Sequence, residues 1–249
     1  MKITNSCVVV TGAANGIGLA LSKYLDSKGA KIAAVDISEQ GLAELRLENS
    51  RIHTYQCDVS STKSTSEVID EIAVDFSKID ILINCAGVMH SEPVVRLGDN
   101  GFIQHDFENW HKVISINLSG LFFVTTCVVQ KMAAHRTKGL IVNIGSISSQ
   151  GNAGQSAYSA SKSGVEALTK TWAKEFGHLG IRAVCVSPGF IDTPATRTAL
   201  NEANLKSWTQ KTPLKRLGTT DEVICAIDMV IRNDFFNGRI LNLDGGLVI

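Results

Sequence analysis

Short apolar runs alternate with amphipathic segments along almost the whole chain. The apolar runs, many of them β-branched, predict buried strands at residues 8–10, 31–35, 53–57, 81–83, 140–144, 181–186 and 240–243. Apolar residues at helical spacing predict helices between residues 18 and 29 and over 65–76, 110–134, 158–176 and 221–232. Strands that alternate with helices in this way predict an α/β fold, with a parallel sheet of about seven strands and helices on both faces.

Two segments interrupt this alternation. Residues 91–109 are polar and irregular, so we expect a loop there. Residues 195–213 are polar and weakly amphipathic, with Leu200, Leu205 and Trp208 as their apolar positions. A segment of this kind is typical of a lid that closes over a site.

The helix predicted over residues 110–134 is apolar nearly all round, from Val113 to Val128. A helix without a clean polar face is buried, often against another subunit. The pattern therefore predicts a homodimer or homotetramer. Asn117 lies in the first turns of this helix, where local hydrogen bonding is the ordinary role of a buried asparagine.

Composition narrows the class of protein further. The 249 residues are 44% hydrophobic and contain no Pro-, Gly- or Ser-rich linker, so residues 1–249 are expected to form one domain. The formal net charge is +0, which leaves no broad positive field for nucleic acid or an anionic membrane. The polar start of the chain does not resemble a secretory signal, and no apolar run approaches the ~18 residues of a membrane span. The six cysteines are far apart without a C-x-x-C motif, so we expect reduced thiols, no metal site and a cytoplasmic protein.

A glycine-rich turn at residues 11–18 lies between the first strand and the first helix. In a dinucleotide-binding turn Gly12 would permit the tight turn, Gly16 would let a phosphate approach the backbone, and Gly18 would let the helix pack closely. The free N–H groups of the helix N-terminus would then face a pyrophosphate. An ordinary glycine-rich connection is the alternative, but the flanking strand and helix favour a cofactor site.

Asp36 follows the second strand, 18 positions after Gly18. A carboxylate there can accept hydrogen bonds from the adenosine ribose and would repel the 2′-phosphate of NADP. Two like charges ~4 Å apart cost about 1 kcal/mol in water and about 4 kcal/mol at an effective dielectric constant of 20. Ile37 offers no cation in compensation, so we predict NAD as the cofactor. A strand-end aspartate that caps the next turn is the alternative. Asp58 and residues 84–87 also follow strands, at the edge of the sheet where ligands bind.

Tyr158 and Lys162 lie four residues apart in a predicted helix, so their side chains share one face. A fixed positive charge beside a phenol favours the phenolate. The pair is therefore a candidate for proton transfer near neutral pH. Taken alone, a Tyr and a Lys four residues apart are more often packing neighbours on a surface helix.

Together these motifs resemble the short-chain dehydrogenase/reductase family over essentially the whole chain. The matching features are T-G-x-x-x-G-x-G at residues 11–18, N-x-A-G at 84–87, Asn117, Ser146, Y-x-x-x-K at 158–162, P-G-x-x-x-T at 188–193 and D-G-G at 244–246. The resemblance implies a Rossmann-type doubly wound sheet and hydride transfer between NAD(H) and a secondary alcohol or ketone. Seven motifs in the right order are far more specific than any one of them.

The resemblance also implies roles for individual residues. Tyr158 would be the general acid or base, Lys162 would support it and hold the nicotinamide ribose, and Ser146 would bind the reacting oxygen. Asn117 would hold a water that passes protons outward through Lys162. The cofactor would contact Gly12, Asn15, Gly16, Ile17, Gly18, Asp36, Asp58, Val59, Asn84, Ala86, Gly87, Tyr158, Lys162, Pro188, Gly189, Ile191 and Thr193. The substrate would lie near Met89, His90, Ser148, Gln150, Asn152, Gln155 and Phe190, a mostly polar set that favours a hydroxylated or acidic small molecule.

Two features depart from the usual family pattern. Cys85 stands where a second asparagine is usual, and Ser146 precedes Tyr158 by twelve positions, one fewer than is common, which makes Ser148 the alternative serine. One rival function is a 3-oxoacyl-thioester reductase, which commonly prefers NADPH. A catalytically silent NAD-binding sensor or scaffold is a rival of another class, and it would need none of Ser146, Tyr158 and Lys162.

Overall fold

The computed structural model describes residues 1–199 and 202–249. Its first half contains β1 (Cys7–Thr11), α1 (Gly16–Ser27), β2 (Lys31–Asp36), α2 (Glu39–Glu48), β3 (His53–Gln56), α3 (Thr62–Phe76), β4 (Ile81–Asn84), β5 (Val95–Gly98), β6 (Gly101–Gln104) and α4 (Phe107–Ile114). A π-helical turn (Ser115–Gly120) leads into α5 (Leu121–Ala134). Then come β7 (Leu140–Ile144), a 3₁₀ turn (Ile147–Gln150), α6 (Ser156–Glu175), a second 3₁₀ turn (Gly177–Leu179), β8 (Arg182–Pro188), α7 (Pro194–Ala199), α8 (Glu202–Lys211), α9 (Thr220–Arg232) and β9 (Ile240–Leu243).

Seven parallel strands form one central sheet in the order β3-β2-β1-β4-β7-β8-β9. Alternate residues of β1 enter two separate cores: Val8 and Val10 pack with helices α1 and α9, and Val9 packs with α3, α5 and α6. Strands that are buried on both faces show continuous apolar runs, which is why the sequence reveals them. The doubly wound α/β fold is confirmed.

Helix α2 is an element that the apolar pattern does not indicate. Ser38 caps it by accepting a hydrogen bond from the Gly41 backbone, and only Leu42 and Leu45 are buried. With two buried residues, the helix has too narrow an apolar stripe to stand out from a loop.

The loop predicted over residues 91–109 is wrong in two places. Strands β5 and β6 form an antiparallel hairpin that closes between Gly98 and Gly101, and Gly101 has φ +118°. Helix α4 then begins at Phe107, where Asp106 caps it by accepting from the Glu108 backbone. The hairpin escapes the pattern because neither of its faces enters the core: Leu97 and Phe102 pair across it and are 77% and 82% exposed.

The long apolar helix is present, but the π-helical turn divides it into α4 and α5. Contrary to the expectation that no apolar run approaches a membrane span, residues Phe107–Ala134 are long and apolar enough to cross a membrane by length and composition alone. However, Val124, Val128 and Met132 lie in the core beneath the sheet. We therefore interpret the segment as a core helix of an α/β domain.

Helices α7 and α8 occupy the segment predicted as a lid. The ring of Trp208 in α8 stacks on Phe190, with 4.7 Å between the ring centroids. Leu200, which was predicted to be part of the lid, lies outside the described residues.

Candidate active site

The glycine-rich turn has the geometry that a phosphate-binding turn needs. A Cβ atom at Gly18 would lie 2.1 Å from the Gly12 carbonyl oxygen, so the first turn of α1 can pack against Gly12 only with glycine at position 18. A Cβ at Gly12 would lie 2.8 Å from the Ala86 backbone, whereas a Cβ at Gly16 would meet nothing within 4 Å. Gly12 and Gly16 also have positive φ, +68° and +53°. Gly12 and Gly18 therefore serve packing, and Gly16 faces open space at the N-terminus of α1, where a pyrophosphate fits.

The ends of β1 and β4 are held together beside this turn. The Thr11 hydroxyl accepts hydrogen bonds from the Cys85 and Ala86 backbones, each at 3.1 Å. Burial raises the pKa of the Cys85 thiol to about 11, so the thiol is neutral at physiological pH. In this respect Cys85 is like the asparagine that is usual at its position.

The side chain of Asn84 turns into the core and away from the cofactor side. Its amide donates to Thr125 and Asn143, both at 2.9 Å. Its Oδ1 is buried and has no hydrogen-bond partner among the described residues. Asn84 can contact a cofactor only through its backbone.

Asp36 has the turn-fixing role that was considered as the alternative for it. Its carboxylate accepts hydrogen bonds from the Ala14 and Ser38 backbones, each at 2.9 Å, so it fixes both the glycine-rich turn and the turn that follows β2. Ile37 beside it is 64% exposed. Asp58 is held by the backbone and hydroxyl of Ser60, and it lines a cleft of about 550 Å³ together with Ile37 and residues of α4. Val59 packs against Gly120 beneath it. The Asp36 carboxylate therefore lies beside the glycine-rich turn, with an open cleft next to Ile37.

Tyr158 and Lys162 lie on successive turns of α6. The Lys162 ammonium is 5.7 Å from the centroid of the Tyr158 ring and donates at 2.8 Å to the Ile144 carbonyl, at the end of β7. Ser146 lies two residues beyond Ile144, and its hydroxyl oxygen accepts from the Ser148 backbone at 3.2 Å. Lys162 thus ties the helix that carries Tyr158 to the strand end that carries Ser146.

Asn117 lies in the π-helical turn and connects three parts of the site. Its side chain accepts from the Val88 backbone N–H at 2.8 Å, donates to the Val88 carbonyl at 2.9 Å, and donates to the Ser161 hydroxyl at 3.3 Å. Ser161 in turn donates to the Tyr158 carbonyl at 2.7 Å. The polar atoms of the Asn117 side chain are therefore engaged in local hydrogen bonds. π-helical turns are frequent at functional sites.

The residues expected near the substrate are not all brought together. Gln155 is buried, and its amide accepts from Ser148 and Asn152 and donates to Ser91, each at 3.0 Å. His90 is partly exposed beside Glu92, and Phe190 lies under α8. Gln150 instead lies on the surface, where its amide contacts Ser149 at 3.4 Å.

The segment after β8 packs on the end of β9. The Gly189 N–H donates to the Leu243 carbonyl at 2.9 Å, and a Cβ at Gly189 would lie 2.9 Å from the Asp244 Cα. Ile191 forms a β-bridge with Gly218. The Thr193 hydroxyl accepts from the Thr196 backbone at 3.2 Å and so caps α7. Residues 188–193 are therefore held between the end of β9, Gly218 and the start of α7.

Sequence reasoning missed Glu92 and His105. Both lie in the segment predicted as a loop, where no periodic pattern singles them out. Only the capping signal at Asp106 marks an ordered structure nearby.

A single parallel sheet, a glycine-rich turn at its carboxyl edge and a Tyr–Lys helix define a nucleotide-dependent oxidoreductase of the short-chain type. The family model described as short chain dehydrogenase matches residues 6–204, and the chain belongs to this family.

Two of the relatives that this chain is similar to are named for acyl-carrier-protein or acyl-CoA substrates. A 3-oxoacyl-acyl-carrier-protein reductase from Thermotoga maritima is 36% identical over 100% of both chains. The (3R)-3-hydroxyacyl-CoA dehydrogenase of Canis lupus familiaris is 32% identical, with 99% of this chain and 98% of the relative covered. The solved structure of a protein called gox2181 superposes with a TM-score of 0.87 at 31% identity, covering 98% and 97% of the two chains.

Proposed function

We propose that the protein is an NAD(H)-dependent oxidoreductase that interconverts a secondary alcohol and a ketone, with Tyr158 as the general acid or base. The observation that carries this proposal is the position of the buried Lys162 ammonium, 5.7 Å from the centroid of the Tyr158 ring and fixed to the end of the strand that leads to Ser146. When bound, the nicotinamide ring supplies or accepts the hydride. A catalytically silent scaffold would have no use for this arrangement.

Each polar group has a specific task in the proposal. Tyr158 donates a proton to the substrate oxygen in ketone reduction and removes one in alcohol oxidation. The Ser146 oxygen already accepts a hydrogen bond from the Ser148 backbone, so its own proton is available to the reacting oxygen. The Asn117 side chain positions Val88 and Ser161. Because the polar atoms of that side chain are engaged, a proton-relay water would have to bind at the main chain of Asn117.

The residues present fit NAD better than NADP. Gly16 and the N-terminus of α1 would hold the pyrophosphate, Lys162 the nicotinamide ribose, and Asp36 the adenosine ribose hydroxyls. A 2′-phosphate would meet the fixed Asp36 carboxylate and find only the apolar Ile37 beside it. Gly12, Asn15, Ile17, Gly18, Asp58, Val59, Ala86, Gly87, Pro188, Gly189, Ile191 and Thr193 line the same edge of the sheet.

We further infer that the protein is a cytoplasmic homodimer or homotetramer without nucleic-acid or membrane partners. The balanced charge, the free cysteines and the apolar residues left exposed on α4 and α5 support this inference.

The decisive experiment is the substitution Tyr158→Phe, tested with the ketone or alcohol that a panel identifies by NADH absorbance. Loss of the proton site should lower kcat by about 10²–10⁴-fold and leave NADH binding nearly unchanged. Tyr24→Phe is the matched control, because Tyr24 lies on α1 and donates to Asp228 far from Lys162. Substantial activity of Tyr158→Phe at every pH would show that another group carries the proton.

A second candidate is reduction of 3-oxoacyl thioesters. The full-length similarity to a reductase and to dehydrogenases that are named for acyl thioesters favours it. A 3-oxobutanoyl thioester included in the panel distinguishes the two substrate classes directly.

A further inference from the structure

We propose that Glu92 is a positioning residue that fixes the His90 imidazole as a hydrogen-bond acceptor for a substrate hydroxyl. The inference rests on the proposed function and names its substrate class: ketones and secondary alcohols that carry a second hydroxyl next to the reacting carbon.

The segment that carries His90 is clamped on both sides. Its start is held at Val88, whose N–H and carbonyl both bind the Asn117 side chain. Its end is held at Ser91, which accepts from Gln155 at 3.0 Å, and at Glu92, whose N–H donates to the Gly154 carbonyl at 2.7 Å. Gln155 is the N-cap residue of α6 and lies three residues before Tyr158, so this clamp holds the segment that carries His90 at the start of α6.

The Glu92 carboxylate accepts hydrogen bonds from three residues. It accepts from His90 Nε2 at 3.1 Å, from the Asp106 backbone at 3.3 Å and from Asn109 Nδ2 at 3.4 Å. His105 is a fourth neighbour of Glu92: its Nδ1 lies 3.2 Å from the Glu92 carbonyl oxygen and 3.5 Å from the Glu92 carboxylate. Hydrogen bonds from His90, Asp106 and Asn109 hold the pKa of the Glu92 carboxyl below its usual range, so the group is ionised.

The ionised carboxylate decides which nitrogen of His90 carries the proton. A carboxylate only accepts hydrogen bonds, so Nε2 must be the N–H nitrogen. In the neutral form of the ring the lone pair is then on Nδ1, for which no hydrogen-bond partner is found among the described residues. The buried His105 packs edge-on against the ring at 6.0 Å between centroids and limits its rotation.

A second group near the site, the Ser148 hydroxyl, is also a hydrogen-bond acceptor toward a substrate. The Ser148 hydroxyl donates its proton to Gln155 Oε1, so toward any other partner it can only accept. Two acceptors match a substrate that offers a hydroxyl hydrogen. They do not match the thioester carbonyl of an acyl substrate, which is itself an acceptor.

The positioning role can be tested without any substrate. In the NADH-loaded protein, ¹H–¹⁵N NMR should show a slowly exchanging imidazole N–H at His90 Nε2 that is lost in Glu92→Ala and weakened in Glu92→Gln. Glu48→Gln, which removes an exposed carboxylate paired with Lys23 between α1 and α2, should leave the resonance unchanged. A His90 N–H that persists in Glu92→Ala would overturn the positioning role, and so would a fall in melting temperature with no change at His90.

The substrate class can be tested with 3-hydroxybutan-2-one and butan-2-one, which differ by one hydroxyl. The wild-type protein should favour the hydroxyketone in kcat/KM by at least about tenfold, since a site built to bind a hydroxyl rejects the analogue that lacks it. His90→Phe should bring the ratio close to one, and Glu92→Gln should reduce it through KM with little change in kcat. The double variant should be no worse than His90→Phe alone, because Glu92 acts through His90.

The outcomes separate this inference from the proposed function. Equal use of the two ketones, an unchanged ratio in His90→Phe, or independent effects in the double variant would overturn the substrate class while leaving the oxidoreductase intact. Reduction of the 3-oxobutanoyl thioester alone would do the same. Failure with every ketone and alcohol would refute the proposed function and with it the substrate class, and the NMR result would still decide the role of Glu92.

Discussion

The Lys162 side chain connects the main parts of the candidate site. Its ammonium is only 6% exposed, and a buried charge needs compensating polar partners. The structure supplies the Ile144 carbonyl and the face of the Tyr158 ring. A compact ammonium fits between them, whereas a planar guanidinium would displace one of them.

Two substitutions test this fit. Lys162→Ala should abolish turnover and weaken NADH binding, because it removes both the charge beside Tyr158 and the proposed ribose contact. Lys162→Arg keeps the charge but should rescue little of either property. Turnover assays and NADH fluorescence titrations measure the two effects, and near-normal turnover of Lys162→Arg would show that charge alone suffices.

Cofactor preference should depend on Asp36 and Ile37. The double substitution Asp36→Ala with Ile37→Arg should shift preference toward NADPH by about tenfold or more, because it removes a repulsion of about 1–4 kcal/mol and adds a cation. Asp36→Asn is the informative control, since it removes the charge but keeps an oxygen acceptor for one of the two backbone N–H groups, that of Ala14 or that of Ser38. Equal affinity of the unmodified protein for NADH and NADPH would refute the electrostatic argument.

At the scale of residues, the sequence predicts where a motif lies but not which of its atoms are already engaged. The positions of Gly16, Asp36 and Lys162 follow from local spacing. The inward turn of Asn84 depends on Thr125 and Asn143, which lie 41 and 59 positions further along the chain. No local pattern contains that information.

Helix α9 illustrates how an element of this fold is anchored. Thr219 and Glu222 form a reciprocal capping box at its start, and Arg216 adds two further contacts to the Glu222 carboxylate. These bonds lower the pKa of Glu222 from 4.5 to about 2.

The pH dependence of this anchor follows from the sign of the shift. Since the carboxylate is favoured in the folded state, its contribution is present above the unfolded pKa and is lost as pH falls from about 4.5 to about 2. Glu222→Gln should therefore lower the free energy of unfolding by about 1 kcal/mol at pH 7 and by much less near pH 2. Urea denaturation at the two pH values measures the difference, and an equal loss at both would contradict the ionic contribution.

At the scale of elements, five of the seven strands of the main sheet (β1, β2, β4, β7 and β8) are buried on both faces and leave an apolar run that predicts them, whereas the edge strands β3 and β9 are only partly buried. The β5–β6 hairpin and α2 could not be predicted in this way. Leu97 and Phe102 face outward, and α2 buries only Leu42 and Leu45, so neither element has the one-sided pattern that periodicity detects.

Across the whole molecule, several large apolar residues are left uncovered, and three of the aromatic ones lie on α4 and α5. Phe107, Trp110 and Phe122 remain exposed on α4 and α5, although other residues of the same helices are fully buried. Fully burying such a side chain contributes roughly 1.5–3 kcal/mol, which is a strong incentive to associate.

We therefore expect a dimer or tetramer in light scattering at micromolar concentration. Phe122→Glu should shift the population toward smaller species, because it places a charge in the predicted interface. Val74→Glu is the matched control, since Val74 is an exposed apolar residue on α3. A wild-type monomer would contradict the expectation, as would equal effects of the two substitutions.

The π-helical turn at Ser115–Gly120 has a consequence for how the length of this protein can vary. Successive residues of an α-helix are rotated by about 100° about the helix axis. The wider π-helical turn therefore changes the direction in which the side chains after it point, relative to the side chains before it. Asn109 precedes the turn and binds Glu92, whereas Leu121 follows it and enters the core. Removal of one residue between them would turn one of these side chains away from its partner. The tip of the hairpin at Asp99 and Asn100 carries no such constraint, so insertions should be tolerated there and excluded from the helix.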